Sequence, residues 1–306
     1  SAISGIEAAC WDIFGKSVNE PVWRLLGGRT RDHVPVYTHL GMGEMSAVYE
    51  SLEETPVVER GRAVVEQGYR ALKAVFIPYT GYSASPAQID HVARLMRALR
   101  EALGDGIEIM VDFHGRPASA SAALAYIDAL APGRPLFVEE PLPPGETAAL
   151  AALKAKTSVP LATGERLVDR AEFEPLFQAR AIDIVQPDLC HVGGLGEGRK
   201  IAAMAETARC GGAPHNPLGP IAGVMALHYA IATPNFVIQE EMTGAVPWYG
   251  DVVQGPIERR DGAWQVPDVV GLGIEVDERV AERHPFAPEV IHTTNAVLAA
   301  GTIGDW

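Results

Sequence analysis

An aspartate and a histidine two residues apart, Asp112 and His114 in the stretch EIMVDFHGR, open a series of ionisable side chains with a regular spacing. Ile107, Ile109 and Val111 alternate with Glu108, Met110 and Asp112 as in a short β-strand, so Asp112 and His114 are expected on one face at its end. Glu139 closes the apolar run RPLFVEE, Glu165 follows VPLATG, Asp188 follows AIDIVQP, His215 follows GGAP and Glu240 closes FVIQE. Each lies 23 to 27 residues beyond the last, about one strand-plus-helix unit. In a barrel of parallel strands the carboxyl ends of the strands meet at one face, where active sites are built. The phase therefore predicts that Asp112, Glu139, Glu165, Asp188, His215 and Glu240 converge.

Three carboxylates on neighbouring strand ends, Asp112, Glu139 and Glu165, suit a hard divalent cation. All-oxygen ligation that leaves positions for water and substrate favours Mg²⁺ over a thiol- or imidazole-rich zinc site. Asp188 on the strand before His215 could fix the tautomer of that imidazole and raise the basicity of its other nitrogen. His114, on the other side of the metal cluster, could give a proton to a leaving group. A base and an acid flanking a metal-bound carboxylate substrate suit the removal of water. Glu240 would stabilise the developing enediolate by a short hydrogen bond if protonated, and Lys73 could add positive charge near the substrate carboxylate. Arg116 and Arg166 sit just past strand ends, as substrate clamps or as structural ion pairs.

The elements that must position these residues alternate regularly. Helical spacing covers the first residues, and Pro21–Leu26 reads as a second short helix stopped by Gly27 and Gly28. Strands are expected at Val34–His39, Ala71–Ile77, up to Asp112, up to Glu139, Leu161–Gly164, Ile182–Gln186, up to His215 and Phe236–Gln239. Helices fall between them, one opened by Ser85 as N-cap with Pro86 behind it. Eight strands in βα order imply an α/β fold with a parallel sheet, a TIM-like (β/α)7β barrel over residues 31–241. Residues 1–30 read as the last helices of a mostly missing capping domain, and 242–306 as a Gly-, Pro- and Trp-rich segment packing back toward it.

The 306 residues are 47% hydrophobic with a formal charge of −14, enough apolar content for a large core and the wrong sign for a nucleic-acid or anionic-lipid surface. Cys10, Cys190 and Cys210 lack CxxC spacing and fit a reducing compartment. No stretch resembles a signal peptide, and the longest apolar run, Ile221–Ala232, is short of a membrane span. The expectation is a soluble cytoplasmic protein, a homo-oligomer, acting on a small molecule without nucleic-acid or membrane partners. Gly193, Gly194, Gly196 and Gly198 resemble a phosphate loop only superficially, since the Lys-Ser/Thr ending is absent; they fit close backbone packing at a helix start. His191 reads as a structural or rim histidine, and no role is assigned to His33, His39, His91, His228, His284 or His292.

VDFHGR at 111–116, FVEEP at 137–141, GER at 164–166, QPD at 186–188, GGLGEGRKIAAMAE at 193–206, HNPLGPIA at 215–222, NFVIQE at 235–240 and GLGIEV at 271–276 together resemble the mandelate racemase group of the enolase superfamily, in particular its galactonate dehydratase-like members. The resemblance implies Mg²⁺ on Asp112, Glu139 and Glu165, and His215 supported by Asp188 as the base next to the substrate carboxylate. It implies His114 as the acid that protonates the departing hydroxyl, Glu240 stabilising the intermediate, and a 2-keto-3-deoxy sugar acid as product. Family racemases carry a second lysine two residues after the first, where this chain has Val75, so a racemase would lack one expected base. Members also carry a capping domain of about a hundred residues before the barrel, of which only Ser1–Gly28 finds a counterpart here. An epimerase or lactone-forming enzyme of the same superfamily, and a catalytically silent sugar-acid-binding barrel, are the alternatives.

Overall fold

The computed structural model describes residues 1–40, 53–217, 219–242, 246–285, 287–288, 298 and 301–302; His292, Leu218 of the HNPLGPIA motif and most of the expected tail beyond Pro285 lie outside them. After helices α1 (Ala2–Val18) and α2 (Val22–Leu25), strands β1 (His33–His39), β2 (Ala71–Ala74), β3 (Glu108–Asp112), β4 (Val138–Glu139), β5 (Leu161–Thr163), β6 (Ile184–Val185), β7 (Gly211–Gly212) and β8 (Gln239–Glu240) alternate with helices. These are α3 (Glu54–Glu66), α4 (Pro86–Leu103), α5 (Ala120–Leu130), α6 (Thr147–Lys154), α7 (Arg170–Gln178), α8 (Leu195–Thr207) and α9 (Pro220–Ala232).

Consecutive strands from β1 to β7 pair in parallel. β8 pairs in parallel with β1, and a parallel bridge between Gly212 and Phe236 joins the last two strand segments. The ring is thereby closed, as the (β/α)7β reading requires. Ser85 caps α4 in a full capping box with Gln88, and Asp169 caps α7 in the same way with Glu172. The sequence places the Ser85 cap correctly because a side-chain acceptor at the N-cap and a Gln or Glu at the third helical position satisfy the orphan amides of a helix start.

The barrel interior has an apolar floor, one residue from each strand or the turn beside it: Tyr37, Ala71, Met110, Phe137, Ala162, Ile184, Ala213 and Ile238 form one cluster. The other strand face packs on the helices in the main core. This is the two-sided burial of a parallel sheet. Because side chains alternate, the residues two further along each strand face the axis one layer higher. They are His39, Lys73, Asp112, Glu139, Gly164, Gln186, His215 and Glu240.

Several boundaries differ from expectation. β2 ends at Ala74 rather than Ile77, and β7 is only Gly211–Gly212 rather than running to His215. Pro214 has no N–H to continue that ladder. In the Gly-, Pro- and Trp-rich segment after residue 242, Arg259–Arg260 (β10) and Ala263–Gln265 (β11) form a hairpin whose second strand pairs antiparallel with the start of β1, Val34 opposite Trp264. Burial of Trp264, 0% exposed, accounts for the docking. Two other short strands, β9 (Val253–Gln254) and β12 (Glu275–Val276), pair with each other. The segment also packs on the first helices: Val22 donates to the Gly271 carbonyl and Leu272 to Asp12 Oδ1. No helix among the described residues is long and apolar enough to cross a membrane.

Candidate active site

The six phased residues meet at the carboxyl face of the barrel. Asp112 and Glu139 are direct cross-strand partners on β3 and β4, and Glu165 lies in the turn after β5. One oxygen from each of these three lies within 4.8 Å of the others. Asp112 and Glu139 are both 0% exposed. Burial and the neighbouring Asp112 charge push the Glu139 carboxyl well above its usual range, while burial raises the Glu165 carboxyl to about 7. Three crowded anions out of water need a counter-charge. Part of it is Lys73, which lies 2.9 Å from Glu139, 3.2 Å from Asp112 and 2.8 Å from Glu240.

A divalent cation fits the remainder. Glu139 Oε1 is buried without a hydrogen-bond partner, and Asp112 Oδ2 lies near Lys73 and His114 in ion-pair range without an aligned hydrogen bond. The donor set is three carboxylates with no thiol, the hard-oxygen chemistry that suits a divalent cation.

Histidines stand at both ends of the trio. His215 Nδ1 is 2.8 Å from Asp188 Oδ2, and its Nε2 is 3.5 Å from Glu165. Burial opposes the imidazolium, but the Asp188 bond and the charges of Glu240 and Glu165 outweigh it and raise His215 to about 10. At the Asp112 end, His114 Nε2 is 3.2 Å from Oδ2 and the His114 N–H donates to Oδ1 at 2.9 Å. The two residues come together as expected but by another route. His114 has φ +50° and Gly115 φ +64°, so the chain leaves the extended conformation and folds the imidazole back through the left-handed region, a strained geometry for a residue with a side chain.

Lys73 is 1% exposed at the bottom of the cluster, where its ammonium pairs with carboxylates. Glu240 does not meet the condition of being protonated. Burial works against its charge, yet Lys73 and the His39 hydrogen bond hold the carboxyl well below its usual range. Its oxygens accept from the Asn216 N–H at 2.7 Å and lie 2.6 Å from His39 Nε2, so it is a fully engaged anion.

Of the two arginines, Arg166 forms the structural pair with Glu140, which turns away from the trio: its Nε donates to Oε1 at 2.8 Å and its Nη2 lies 2.8 Å from Oε2 in ion-pair range. Arg116 is 7% exposed and donates to the Ile77 carbonyl. His191 is the expected rim histidine, bonded to Ser1 Oγ and 3.6 Å from Asp188.

Sequence reasoning passed over His39 and Gln186. His39 ends β1 as Glu139 ends β4, a signal that was present; a rule requiring a long apolar run and a regular interval missed it. Gln186 is 0% exposed and neither of its amide atoms has a partner among the described residues. The signal for it was its place two residues beyond the floor residue Ile184.

Comparison with known proteins places this geometry. Residues 57–280 match the family described as enolase C-terminal domain-like, and residues 1–27 match the mandelate racemase/muconate lactonizing enzyme N-terminal domain. The chain is 38% identical to D-galactonate dehydratase of Klebsiella pneumoniae (strain 342), over all of this chain and 79% of that protein. A mandelate racemase/muconate lactonizing enzyme from Sulfitobacter sp. superposes with a TM-score of 0.87 at 36% identity, over 95% of this chain and 74% of that one. An enolase from Agrobacterium radiobacter with bound sodium and L-malate superposes with a TM-score of 0.83 at 32% identity, over 96% and 76%.

Proposed function

The chain belongs to the mandelate racemase/muconate lactonizing enzyme family of the enolase superfamily, and from that premise we propose that it dehydrates a sugar acid, an aldonate such as galactonate or gluconate, to the 2-keto-3-deoxy acid. The observation that carries this reading is one imidazole at each end of the carboxylate trio, with His215 oriented by Asp188. Asp112, Glu139 and Glu165 would hold Mg²⁺, whose chemistry when bound is to stabilise negative charge developing on the substrate carboxylate.

His215 removes the proton from C2 through Nε2, while Asp188 on Nδ1 keeps the lone pair on Nε2 and stabilises the imidazolium that forms. The carboxylates that raise the His215 pKa include Glu165. His114 then donates a proton to the C3 oxygen as the C–O bond breaks, releasing water. The resulting enol becomes the 2-keto acid by taking a proton at C3 and losing the one on its C2 hydroxyl. Glu240, held ionised, fixes Lys73 and His39 in place and supplies no proton. Val75, where family racemases carry a second lysine, is buried and apolar, which leaves that position without a base.

The test is a panel of aldonic and aldaric acids incubated with Mg²⁺ and assayed for 2-keto-3-deoxy product in D2O. Product carrying deuterium at C3 is expected from at least one acid. Exchange of the C2 proton in recovered substrate without loss of water, across the panel, would replace dehydration by epimerisation.

A further inference from the structure

The glycine-rich run before α8 holds a carboxylate of the protein itself. Leu195 N–H donates to Glu7 Oε2 at 2.9 Å and Gly196 N–H to Glu7 Oε1 at 2.8 Å. Gly194 has φ +95°, and a Cβ there would lie 2.1 Å from Glu7 Oε2, so the seat exists only because that residue is glycine. One turn back on the same face of α1, Ser4 Oγ accepts from the Gly193 N–H at 3.1 Å. A carboxylate against the free amides of a helix start is favoured both by hydrogen bonding and by the helix dipole.

The loop clamped in this way carries Asp188. The Asp188 carbonyl accepts from His191 and Val192 N–H, both at 2.9 Å, and Oδ1 accepts from Cys190 N–H at 2.7 Å. Oδ2 takes the hydrogen bond to His215 at 2.8 Å, with His191 further off at 3.6 Å. Glu7 and Asp188 therefore grip the two ends of one short loop, the first from a distant helix and the second toward the reacting centre.

We propose that Glu7 is a positioning residue for the base: seated at the start of α8, it fixes the 188–196 loop so that Asp188 holds His215 in one tautomer and one orientation. The inference rests on the reading of His215 as base. It makes α1, the part matched to the N-terminal domain of the family, a determinant of the chemical step and not only a packing element.

Glu7 has a second partner that separates this role from plain structure. Trp11 Nε1 donates to Glu7 Oε1 at 2.6 Å within α1. Trp11→Phe removes that bond and leaves both loop bonds in place. Glu7→Gln keeps the shape of the side chain but turns an NH2 toward one of the two loop amides.

The experiment compares Glu7→Gln, Ser4→Ala and Trp11→Phe with the wild type, reading kcat and KM on the sugar acid that is turned over, Mg²⁺ affinity by calorimetry, and the downfield Nδ1–H resonance of His215, assigned by its loss in His215→Asn. Glu7→Gln is expected to lower kcat about tenfold or more, as loss of the partner that orients an imidazole does elsewhere, with KM and Mg²⁺ affinity unchanged and the resonance shifted or broadened. Ser4→Ala shows the same pattern more weakly, and Trp11→Phe shows neither change. Retention of kcat and of the resonance in Glu7→Gln would overturn the proposal, as would equal loss of kcat in Trp11→Phe. If Glu7→Gln does not fold, Ser4→Ala decides, an unaltered resonance overturning it. The resonance needs no substrate, so a wild type without sugar-acid activity would sink the functional reading and leave this test standing.

Discussion

His228, outside the active site, gives the most exposed physical prediction. It lies on α9, 0% exposed, where α2 and the carboxyl-terminal segment meet the barrel. Its Nδ1 accepts from the Trp23 N–H at 3.0 Å and its Nε2 is 3.1 Å from the Leu272 carbonyl oxygen. Both nitrogens are used by one neutral tautomer, and burial lowers the pKa from 6.5 to about 4. A histidine that stays neutral when folded but protonates when unfolded costs nothing at pH 7.5, and its penalty grows as pH falls from 6.5 toward 4. Between pH 7.5 and pH 5 the loss is about 2 kcal/mol. Other groups titrate in the same range, so the quantity to measure is a difference. Urea unfolding, followed by tryptophan fluorescence, is compared for wild type and His228→Asn, which keeps an acceptor for Trp23 but does not titrate. The stability advantage of wild type over the variant should shrink by about 2 kcal/mol from pH 7.5 to pH 5. A constant advantage across that range would refute the assignment of His228 as a buried neutral imidazole.

Three further outcomes follow from the site. Gln186→Leu removes two buried amide atoms that have no partner among the described residues, and should raise the melting temperature by about 2–4 °C for each kcal/mol of relieved desolvation; a lower melting temperature would show that the amide is bonded. Lys73→Met leaves Asp112, Glu139 and Glu240 without their shared ammonium, and should destabilise the metal-free protein by about 3–5 kcal/mol in denaturant unfolding, with part of the loss recovered on adding Mg²⁺. For the wild type, Mg²⁺ at a hundred times its dissociation constant should add about 2.7 kcal/mol of stability; Asp112→Asn should abolish most of that gain, and an unchanged gain would place the ion elsewhere.

How much of this was legible in the sequence depends on whether the deciding contact was local. The cap at Ser85 is set within four residues, and a reader of the chain finds it. The βα phase is repeated often enough to place Asp112, Glu139, Glu165, Asp188, His215 and Glu240 at one face. The state of Glu240 was not legible, because Lys73, His39 and the Asn216 N–H reach it from three separate parts of the chain. Nor was the seat of Glu7, since nothing near the glycine run names the helix about 190 residues away that fills it. The hairpin of β10 and β11 escaped because a Gly- and Pro-rich segment reads as loop, while its Trp264 supplies the buried area that makes it pair with β1.

The layering of the barrel explains why one interval found some residues and passed others. Counting two residues beyond each floor position reaches His39, Lys73, Asp112, Glu139, Gly164, Gln186, His215 and Glu240, a deep ring in which a buried ammonium offsets part of the charge of three carboxylates. Glu165 and Asp188 break that count: they belong to turns one and two residues above the ring positions Gly164 and Gln186. Gly164, with φ +142° and a Cβ that would lie 3.0 Å from the Gln186 nitrogen, lets the chain turn there and brings Glu165 over the axis in place of a ring side chain. Glu165, His114 and His215 keep side-chain exposures of 14, 23 and 17%, whereas Lys73, Asp112, Glu139 and Glu240 keep 1% or less. Groups that exchange protons with a substrate must be reachable, and groups that hold fixed charge must be shielded from water to hold it strongly. Strand alternation sets the shielded tier, of which His215 is a partly exposed member, and turns built on glycine and left-handed backbone lift Glu165 and His114 above it.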